Sequence, residues 1–429
     1  MKYQPLDSTL YVENRKKFVS HLKPNSVAVF NSNDIMPTNA DGVFDFRQNN
    51  DLFYLSGIDQ EESILLLSPD FPDPKHREIL FVKRTDEHIA IWEGHKYTKE
   101  EARETSGIKT IYWLDQFDSV FNSVVLRAEN IYLNTNEHSR AVIEVENRDR
   151  RFITWCREKY PLHIYQRSAP ILQKLRPIKS GPEIEALKTA CDITEKGFRR
   201  VLEFVKPGVM EYEIEAEYAH EFLRNRSRGF GYTPIIASGA NACVLHYIDN
   251  NKVCNDGDLL LMDVGAEYGN YNADMTRCIP VNGKFTPRQK EVYNAVLRVK
   301  REAVQLLTPG NTIPEYHKEV GKVMEMELIG LGLLDRKEVA NQNPDTPLYK
   351  KYFMHGTSHH LGLDVHDIND TYDKMKPGMV FTVEPGIYIR NEELGIRIEN
   401  NVVIRDEGVV DLMSTIPVEV EEIEELMNT

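Results

Sequence analysis

Two stretches of this chain place acids in the middle of strands that otherwise read as buried. The first is Leu259-Leu260-Leu261-Met262-Asp263-Val264-Gly265, a turn near Tyr268-Gly269-Asn270, and a return from Tyr271 to Cys278 that carries Asp274. The second is Val380-Phe381-Thr382-Val383-Glu384, a turn through Asn391-Glu392-Glu393, and a return over Ile396-Arg397-Ile398-Glu399. A turn centred between Tyr268 and Gly269 would set Asp263 directly opposite Asp274. A turn centred between Asn391 and Glu392 would set Glu384 opposite Glu399, unless a bulge at Pro385-Gly386 shifts the register. Opposed residues share a face, with Cβ atoms about 4.5–5.5 Å apart. Two carboxylates so placed repel unless a cation or a shared proton intervenes. A single such acid reads as half of a structural salt bridge. Four of them, set twice as opposed pairs in apolar hairpins, suit one divalent metal ion or two.

The hairpins belong to a larger recurrence. Ser180 and Glu183 have capping-box spacing, with Pro182 in the first turn, and open a helix with apolar residues at Ile184, Leu187, Cys191, Phe198, Val201, Leu202 and Val205. That helix stops at Lys206-Pro207-Gly208, and a second helical stretch covers about 211–226. Thr286 and Gln289 repeat the capping box before Val292, Val296, Val299, Ala303 and Leu306, with a stop at Thr308-Pro309-Gly310 and another helix from Ile313 to about Leu328. Each helix pair precedes histidines and then an acid-bearing hairpin, which reads as an internal repeat of roughly 100–120 residues.

The first third of the chain has a different texture. Short strands are expected at Ser26–Phe30, Ser63–Leu67, Glu78–Val82, Thr110–Leu114 and Asn130–Leu133, alternating with helical stretches. This is an α/β domain with its own sheet and no catalytic constellation. The pattern breaks around Leu175 to Pro182, where a linker is expected, giving two domains, 1–175 and 176–429. The chain has 429 residues, enough for a large core without disulfides or a structural metal. Its 52 basic against 67 acidic residues leave a net charge of −15, which argues against nucleic acid and against anionic membranes as partners. Cys156, Cys191, Cys243, Cys254 and Cys278 form no C-x-x-C pair and are odd in number, so a reducing, cytoplasmic compartment is expected. No signal-peptide core and no membrane span is apparent.

Histidines cluster in Met354-His355-Gly356-Thr357-Ser358-His359-His360-Leu361-Gly362-Leu363-Asp364-Val365-His366-Asp367. His355 and His359 have the i, i+4 spacing of the zinc-protease H-E-x-x-H helix, but Gly356 stands where the glutamate belongs, so that motif is rejected. One imidazole among carboxylates makes a mixed nitrogen and oxygen site suited to manganese, cobalt or zinc. His246, in Val244-Leu245-His246-Tyr247, reads by itself as a core histidine. Glu419, Glu421, Glu422, Glu424 and Glu425 read as a solvated helix face.

The segments M-D-x-G, Y-x-A-D-M-T-R, H-G-T-S-H-H-L-G-L-D-V-H-D, T-V-E-P-G-I-Y and G-I-R-I-E-N-N together resemble the pita-bread metallopeptidases, and within them the aminopeptidase P branch. The resemblance extends more weakly to Asp51-Leu52-Phe53-Tyr54-Leu55-Ser56-Gly57 and Ile91-Trp92-Glu93-Gly94. It implies an α/β chain with a ribonuclease-H-like N-terminal domain and a C-terminal pita-bread domain, a curved antiparallel sheet with outer helices and a pseudo-twofold repeat. It implies two divalent ions, usually Mn²⁺ with Co²⁺ or Zn²⁺ as alternatives, held by Asp263, Asp274, His359, Glu384 and Glu399. Asp274 and Glu399 would bridge them. The activity implied is hydrolysis of the bond before a proline at the second position of a peptide, by hydroxide from a water bridging the two ions. Glu384 would shuttle the proton, His246 and His366 would act on the carbonyl or the tetrahedral intermediate, and His355 would orient substrate or move protons. Arg397 would hold a ligand carboxylate.

Within the same fold, prolidase is the alternative, since its H-G-x-G-H motif is close; Ser358 in place of a glycine favours aminopeptidase P. Methionine aminopeptidase usually lacks the N-terminal domain, and creatinase has lost metal ligands that are present here. A non-catalytic peptide- or protein-binding relative would also have lost them. A homo-dimer or homo-tetramer is expected. Trp92 reads first as a packing residue and second as a group that closes the site of a neighbouring subunit.

Overall fold

β1 (Ser26–Asn31), β2 (Ile64–Leu67) and β3 (Glu78–Val82) are nearly continuous aliphatic runs, and they form an antiparallel meander buried almost throughout. β4 (Thr110–Trp113) adds in parallel beside β3, and β5 (Asn130–Leu133) and β6 (Ile164–Arg167) add in parallel beyond β1, giving the order β4-β3-β2-β1-β5-β6. In the computed structural model, which describes residues 2–429, this mixed sheet is the centre of one compact unit, Tyr3–Leu175, and the rest of the chain, Arg176–Thr429, forms a second. One face of the sheet packs Val27, Val29, Leu66 and Phe81 against Phe117, Phe121 and Val124 of the helix Phe117–Val125. This is the ribonuclease-H-like arrangement expected. β6 was not foreseen. Its sequence, Ile-Tyr-Gln-Arg, has no apolar run, because an edge strand paired on one side only needs none.

The second unit is built twice from the same parts. Its helix pairs are Gly181–Phe204 with Glu211–Arg224, and Pro287–Leu306 with Ile313–Gly330. Both leading helices open on the expected capping boxes, at Ser180/Glu183 and Thr286/Gln289, each device worth about 1 kcal/mol. The first pair approaches so closely at Gly197 that a Cβ there would lie 2.7 Å from the Tyr218 ring.

In the first half, β7 (Ile235–Ser238) and β11 (Met275–Pro280) flank β8 (Leu259–Val264), and a small hairpin of β9 (Glu267–Tyr268) and β10 (Tyr271–Asn272) extends beyond them. In the second half, β12 (Val380–Val383) pairs with β15 (Asn400–Arg405), which pairs with β16 (Gly408–Asp411). The hairpin of β13 (Gly386–Ile389) and β14 (Leu394–Arg397) extends beyond that sheet. His360 bridges Phe381 on the free side of β12, so the histidine segment takes the place that β7 has in the first half. The halves join where Asn401 both donates to the Asp274 carbonyl and accepts from the Asp274 amide.

The stretch around Leu175 to Pro182 is no loose linker. Ile178 bridges Met379, and the Lys179 amide donates to the Gly378 carbonyl. Arg176 and Lys179 are buried, because both side chains pair with the buried Asp367. Pro and Gly marked a chain break there, but the charges between them tie the segment into the second unit.

Candidate metal centre

Each acid-bearing hairpin has one ladder near its base and a second at its tip, of six and two pairs in the first hairpin and four and four in the second, and the acids stand close to the change from one to the other. Asp263 is the penultimate residue of β8, and Asp274 immediately precedes β11. Glu384 immediately follows β12, and Glu399 lies between β14 and β15. At these breaks the backbone leaves its ladder partner. The Glu384 amide donates to the Thr357 carbonyl and the Glu399 amide to the Thr276 carbonyl.

The register of the first hairpin differs from expectation. Asp263 faces Thr276, not Asp274, because the turn is centred on Gly269-Asn270, one residue later than read. Both residues adopt left-handed backbone, with φ of 59° and 67°. A two-residue hairpin turn of this hand needs positive φ at both central positions, which Gly-Asn supplies and Tyr-Gly does not. Moving a turn by one residue moves the register by two, so Asp274 becomes diagonal to Asp263 and stays on the same face. The second hairpin has the expected register. Val383 faces Asn400 on one side of the break and Gly386 faces Arg397 on the other, so no bulge intervenes and Glu384 and Glu399 occupy opposed positions.

The side chains converge. Tyr232 sets its hydroxyl 2.5 Å from Asp263 Oδ1 and 2.6 Å from Asp274 Oδ1, so one hydroxyl proton is shared between two carboxylates. His359 Nε2 lies 3.5 Å from both Asp274 Oδ2 and Glu384 Oε1. One donor atom from each of Asp274, His359 and Glu399 lies within 4.8 Å of the others. Thr276 donates to Glu399 Oε2 at 2.7 Å. Glu399 is 1% exposed, and its other oxygen, Oε1, is buried with no hydrogen-bond partner. Burial pushes the Asp263 carboxyl up against the pull of Arg397, and raises Glu384 to about 7. Burial, then Asp274 and Glu384, push Glu399 well above the ordinary carboxylate range. A cation relieves each of these strains at once.

The imidazole is set for the same task. His359 Nδ1 lies 3.0 Å from the His360 carbonyl, which fixes a proton on Nδ1 and directs Nε2 at the acids. Burial lowers the His359 pKa, but Asp274 and Glu384 outweigh it and hold it at about 8. Four carboxylates, one oriented imidazole and an orphaned buried oxygen therefore fit divalent cations.

The remaining expected residues fall into two groups. Arg397, His355 and His366 adjoin the acids. Arg397 donates to Asp263 Oδ2 at 2.6 Å, to Thr276 at 3.0 Å and to the Tyr388 hydroxyl at 2.8 Å. The Tyr388 hydroxyl lies 2.8 Å from His355 Nε2, and His355 Nδ1 lies 2.8 Å from the Gly356 carbonyl. Burial, then Arg397, push His355 down to about 4, so its ring is neutral. The His366 ring stands edge-on to His359 with centroids 4.2 Å apart. Residues 354–360 contain no helix, in keeping with rejection of the H-E-x-x-H motif.

His246 and Trp92 are exposed, so His246 is not the core residue that sequence alone suggests, and the packing of Trp92 is local, against the His88 ring. His246 lies just after the short helix Gly239–Cys243. Trp92, in the helix Glu87–Glu93, is 77% exposed. Sequence reasoning missed Tyr232, Tyr388, Thr276 and Asp367. Thr276 lies two residues after Asp274 and so shares its face, which the motif could have shown. Tyr232 comes from an irregular segment whose place no periodicity marks.

Residues 185–406 match Metallopeptidase family M24, and residues 11–132 match Aminopeptidase P, N-terminal domain. The Xaa-Pro aminopeptidase of Haemophilus influenzae is 33% identical over 97% of this chain and 97% of its own length. That of Escherichia coli K12 is 34% identical over the same shares. A solved structure of aminopeptidase P from E. coli with the inhibitor Pro-Leu superposes with a TM-score of 0.87, at 33% identity, covering 99% of each chain. With the helix pairs, the doubled hairpins and the converging acids, these likenesses show that the chain belongs to metallopeptidase family M24, as a metal-dependent peptidase of the aminopeptidase P branch.

Proposed function

We propose that this chain is an Xaa-Pro aminopeptidase that releases the residue ahead of a proline from Xaa-Pro-Yaa peptides. The observation that carries the reading is the joint presence of the donor cluster of Asp274, His359 and Glu399 and full-length likeness to Xaa-Pro aminopeptidases. The inhibitor Pro-Leu, bound by the E. coli relative, supports the specificity. A dipeptide that begins with proline is what remains when an Xaa-Pro-Leu tripeptide loses its first residue. That favours a tripeptide-cleaving enzyme over a prolidase, whose Xaa-Pro substrates leave free proline.

Asp263, Asp274, His359, Glu384 and Glu399 would hold two ions, with Asp274 and Glu399 shared between them and Mn²⁺ the assigned metal. Divalent ions so held make water a stronger acid and polarise a peptide carbonyl. The chain's own residues supply the rest. Arg397 and Tyr232 fix the orientation of the Asp263 carboxylate by bonding one oxygen each. Glu384 is the proton shuttle between the attacking water and the leaving amine. His366, braced edge-on against His359, stabilises negative charge on the carbonyl oxygen, and His246 binds the substrate carbonyl. His355 is neutral and already bonded at both nitrogens, so it shapes the wall around the substrate ring.

Proline suits such a pocket because it has no N–H to leave unsatisfied on burial; an ordinary residue would strand one at about 1–3 kcal/mol. The N-terminal unit, without an acid cluster of this kind, is assigned to oligomer formation and to the rim of a neighbouring subunit's site, with Trp92 as its contact. Trp92→Ala is then expected to raise KM for longer peptides. Among the described residues, no helix is long and apolar enough to cross a membrane, and all five cysteines are free and buried. The assigned compartment is the cytoplasm.

The test is a panel of Xaa-Pro, Xaa-Pro-Yaa and Xaa-Ala-Yaa peptides with added Mn²⁺. Cleavage of Xaa-Pro-Yaa alone is expected, lost on chelation and restored by Mn²⁺ or Co²⁺. Cleavage confined to Xaa-Pro dipeptides would make the enzyme a prolidase, and equal rates on Xaa-Ala-Yaa would overturn the proline reading.

A further inference from the structure

The sheet of the N-terminal unit has a point where its strand order reverses. From β1 the chain runs to β2, β3 and β4 on one side, and β5 and β6 then fill the other side in parallel with β1. In open α/β sheets, crevices that take ligands form outside the carboxyl end of a strand at such a point. β1 ends there on Asn31, and a cavity of about 300 Å³ opens beside it. Asn31 continues the row of Val27 and Val29, so its side chain lies on the sheet face that Phe117 covers. Phe117, Phe152 and Trp155 line the same cavity, with the Phe152 and Trp155 rings stacked at 5.4 Å between centroids.

Three polar groups at this cavity have bonding capacity to spare. Asn31 is 2% exposed, and its Nδ2 donates to Asp149 Oδ1 at 2.9 Å, but its own Oδ1 is buried with no hydrogen-bond partner. Arg148 donates to the Ser32 hydroxyl at 2.9 Å and forms no ion pair among the described residues. Burial pushes its pKa below the ordinary arginine range, against the pull of Asp34 and Glu62. Asp118 is exposed and likewise forms no ion pair among the described residues. The remaining charge in the lining, Arg151, is already bound by Asp34 at 2.6 Å.

Aromatic walls with a few convergent polar groups make a recognition site, and a buried acceptor without a donor costs free energy until one arrives. A ligand that completes all three groups has a carboxylate for Arg148, an ammonium for Asp118, and an aromatic body with an N–H or O–H donor for Asn31 Oδ1. A plain anion would leave Asn31 unsatisfied and add repulsion at Asp118. The required groups occur together in tryptophan and tyrosine. We propose that this cavity in the N-terminal unit binds a free aromatic α-amino acid.

L-Tryptophan is the probe, titrated into the metal-loaded full-length enzyme and followed by ligand-observed NMR. Saturable binding at millimolar concentration or below is expected in the wild type. Tryptamine, which lacks the carboxylate, should bind roughly tenfold or more weakly, and Arg148→Met should weaken L-tryptophan to the same degree, the worth of one charge-assisted hydrogen bond. Arg148→Lys should keep most of the binding. Equal binding in wild type and Arg148→Met, as capture by the metal ions would give, overturns the proposal, as do equal binding of tryptamine and absence of saturable binding. Asp118→Trp, at an exposed position, covers the mouth while leaving Arg148 in place, so it guards against a misfolded arginine variant. It should also lose L-tryptophan, and unchanged binding there overturns the proposal too. Neither residue belongs to the acid cluster and binding is read without turnover, so this test fails or succeeds independently of the proposed substrate.

Discussion

The two acid-bearing hairpins reach the same end by different local means. In the first, a Gly-Asn turn with both residues left-handed sets the register, and the chain beyond the acids is so tight that a Cβ on Gly265 would fall 1.8 Å from the Ala273 carbonyl oxygen. In the second, a short helical turn over Arg390–Glu392 ends on Glu393, whose φ is 52°, and the register runs straight through Pro385. Each brings two acids to one face. What the halves share is the parity of the side chains, and a turn can move by a whole residue without disturbing it.

If the hairpins are two halves of one centre, breaking either should break the whole. Asp274→Asn and Glu399→Gln are each expected to lower kcat by roughly 10³-fold or more and to remove at least one metal per chain, read by elemental analysis. His366→Ala should lower kcat by roughly 10²–10⁴-fold with both metals retained. Loss of metal from His366→Ala, with both ions kept in Glu399→Gln, would reverse these roles.

The halves also differ in how the strand beside each hairpin is held. β7 is tied by a backbone ladder to β8. Its counterpart around His359 is irregular and ends on Asp367, which lies 2.5 Å from Arg176 and 2.7 Å from Lys179, all three buried. Burial would raise the Asp367 carboxyl, but the two cations outweigh it and hold it at about 2. Asp367→Asn leaves both cations without their shared carboxylate and should cost about 3–5 kcal/mol in denaturant unfolding at neutral pH. Because the folded pKa lies below the unfolded value, this contribution is complete above about pH 4 and is lost as pH falls through about 2. The deficit of the variant should shrink over that window. A constant deficit would mean that the pair does not carry the segment.

Gly265→Ala and Gly386→Ala compare the hairpins directly. At Gly265 the obstacle is backbone, so about 3 kcal/mol of destabilisation is expected. At Gly386 the nearest atom is the Tyr388 hydroxyl, 2.7 Å away, with the Ile396 carbonyl at 3.0 Å, so a smaller cost of about 1–2 kcal/mol is expected. Equal costs would mean that the first hairpin relaxes as easily as the second.

Much of this was legible because local chemistry decided it. The capping boxes, the Pro-Gly stops and the aliphatic strands each act within a few residues, and the acids stood out because apolar strands rarely carry them. What escaped depends on contacts between distant parts of the chain. Tyr232 reaches Asp263 and Asp274 from 31 and 42 residues away, and Arg176 meets Asp367 across 191. β6 exists only because β5 offers it an edge. The displaced first turn is a different failure, since its signal was local: Gly-Asn marks a left-handed pair that Tyr-Gly cannot form.

The smallest effect tests that lesson at the turns themselves. Gly269 sits at φ 59° and Glu393 at φ 52°, the same left-handed region filled by the residue that suits it and by one that does not. An L side chain there costs roughly 1–2 kcal/mol, while glycine costs about 0.5–1 kcal/mol through the freedom it gives the unfolded chain. Gly269→Ala should therefore destabilise by about 1 kcal/mol, and Glu393→Gly should stabilise by several tenths to about 1 kcal/mol. Glu393 is exposed and its neighbour Glu392, not Glu393, pairs with Arg288, so the second substitution removes strain without removing that ion pair. Both shifts are readable as opposite displacements of the denaturant midpoint at unchanged slope. Shifts of the same sign would show that something other than backbone hand sets the two turns.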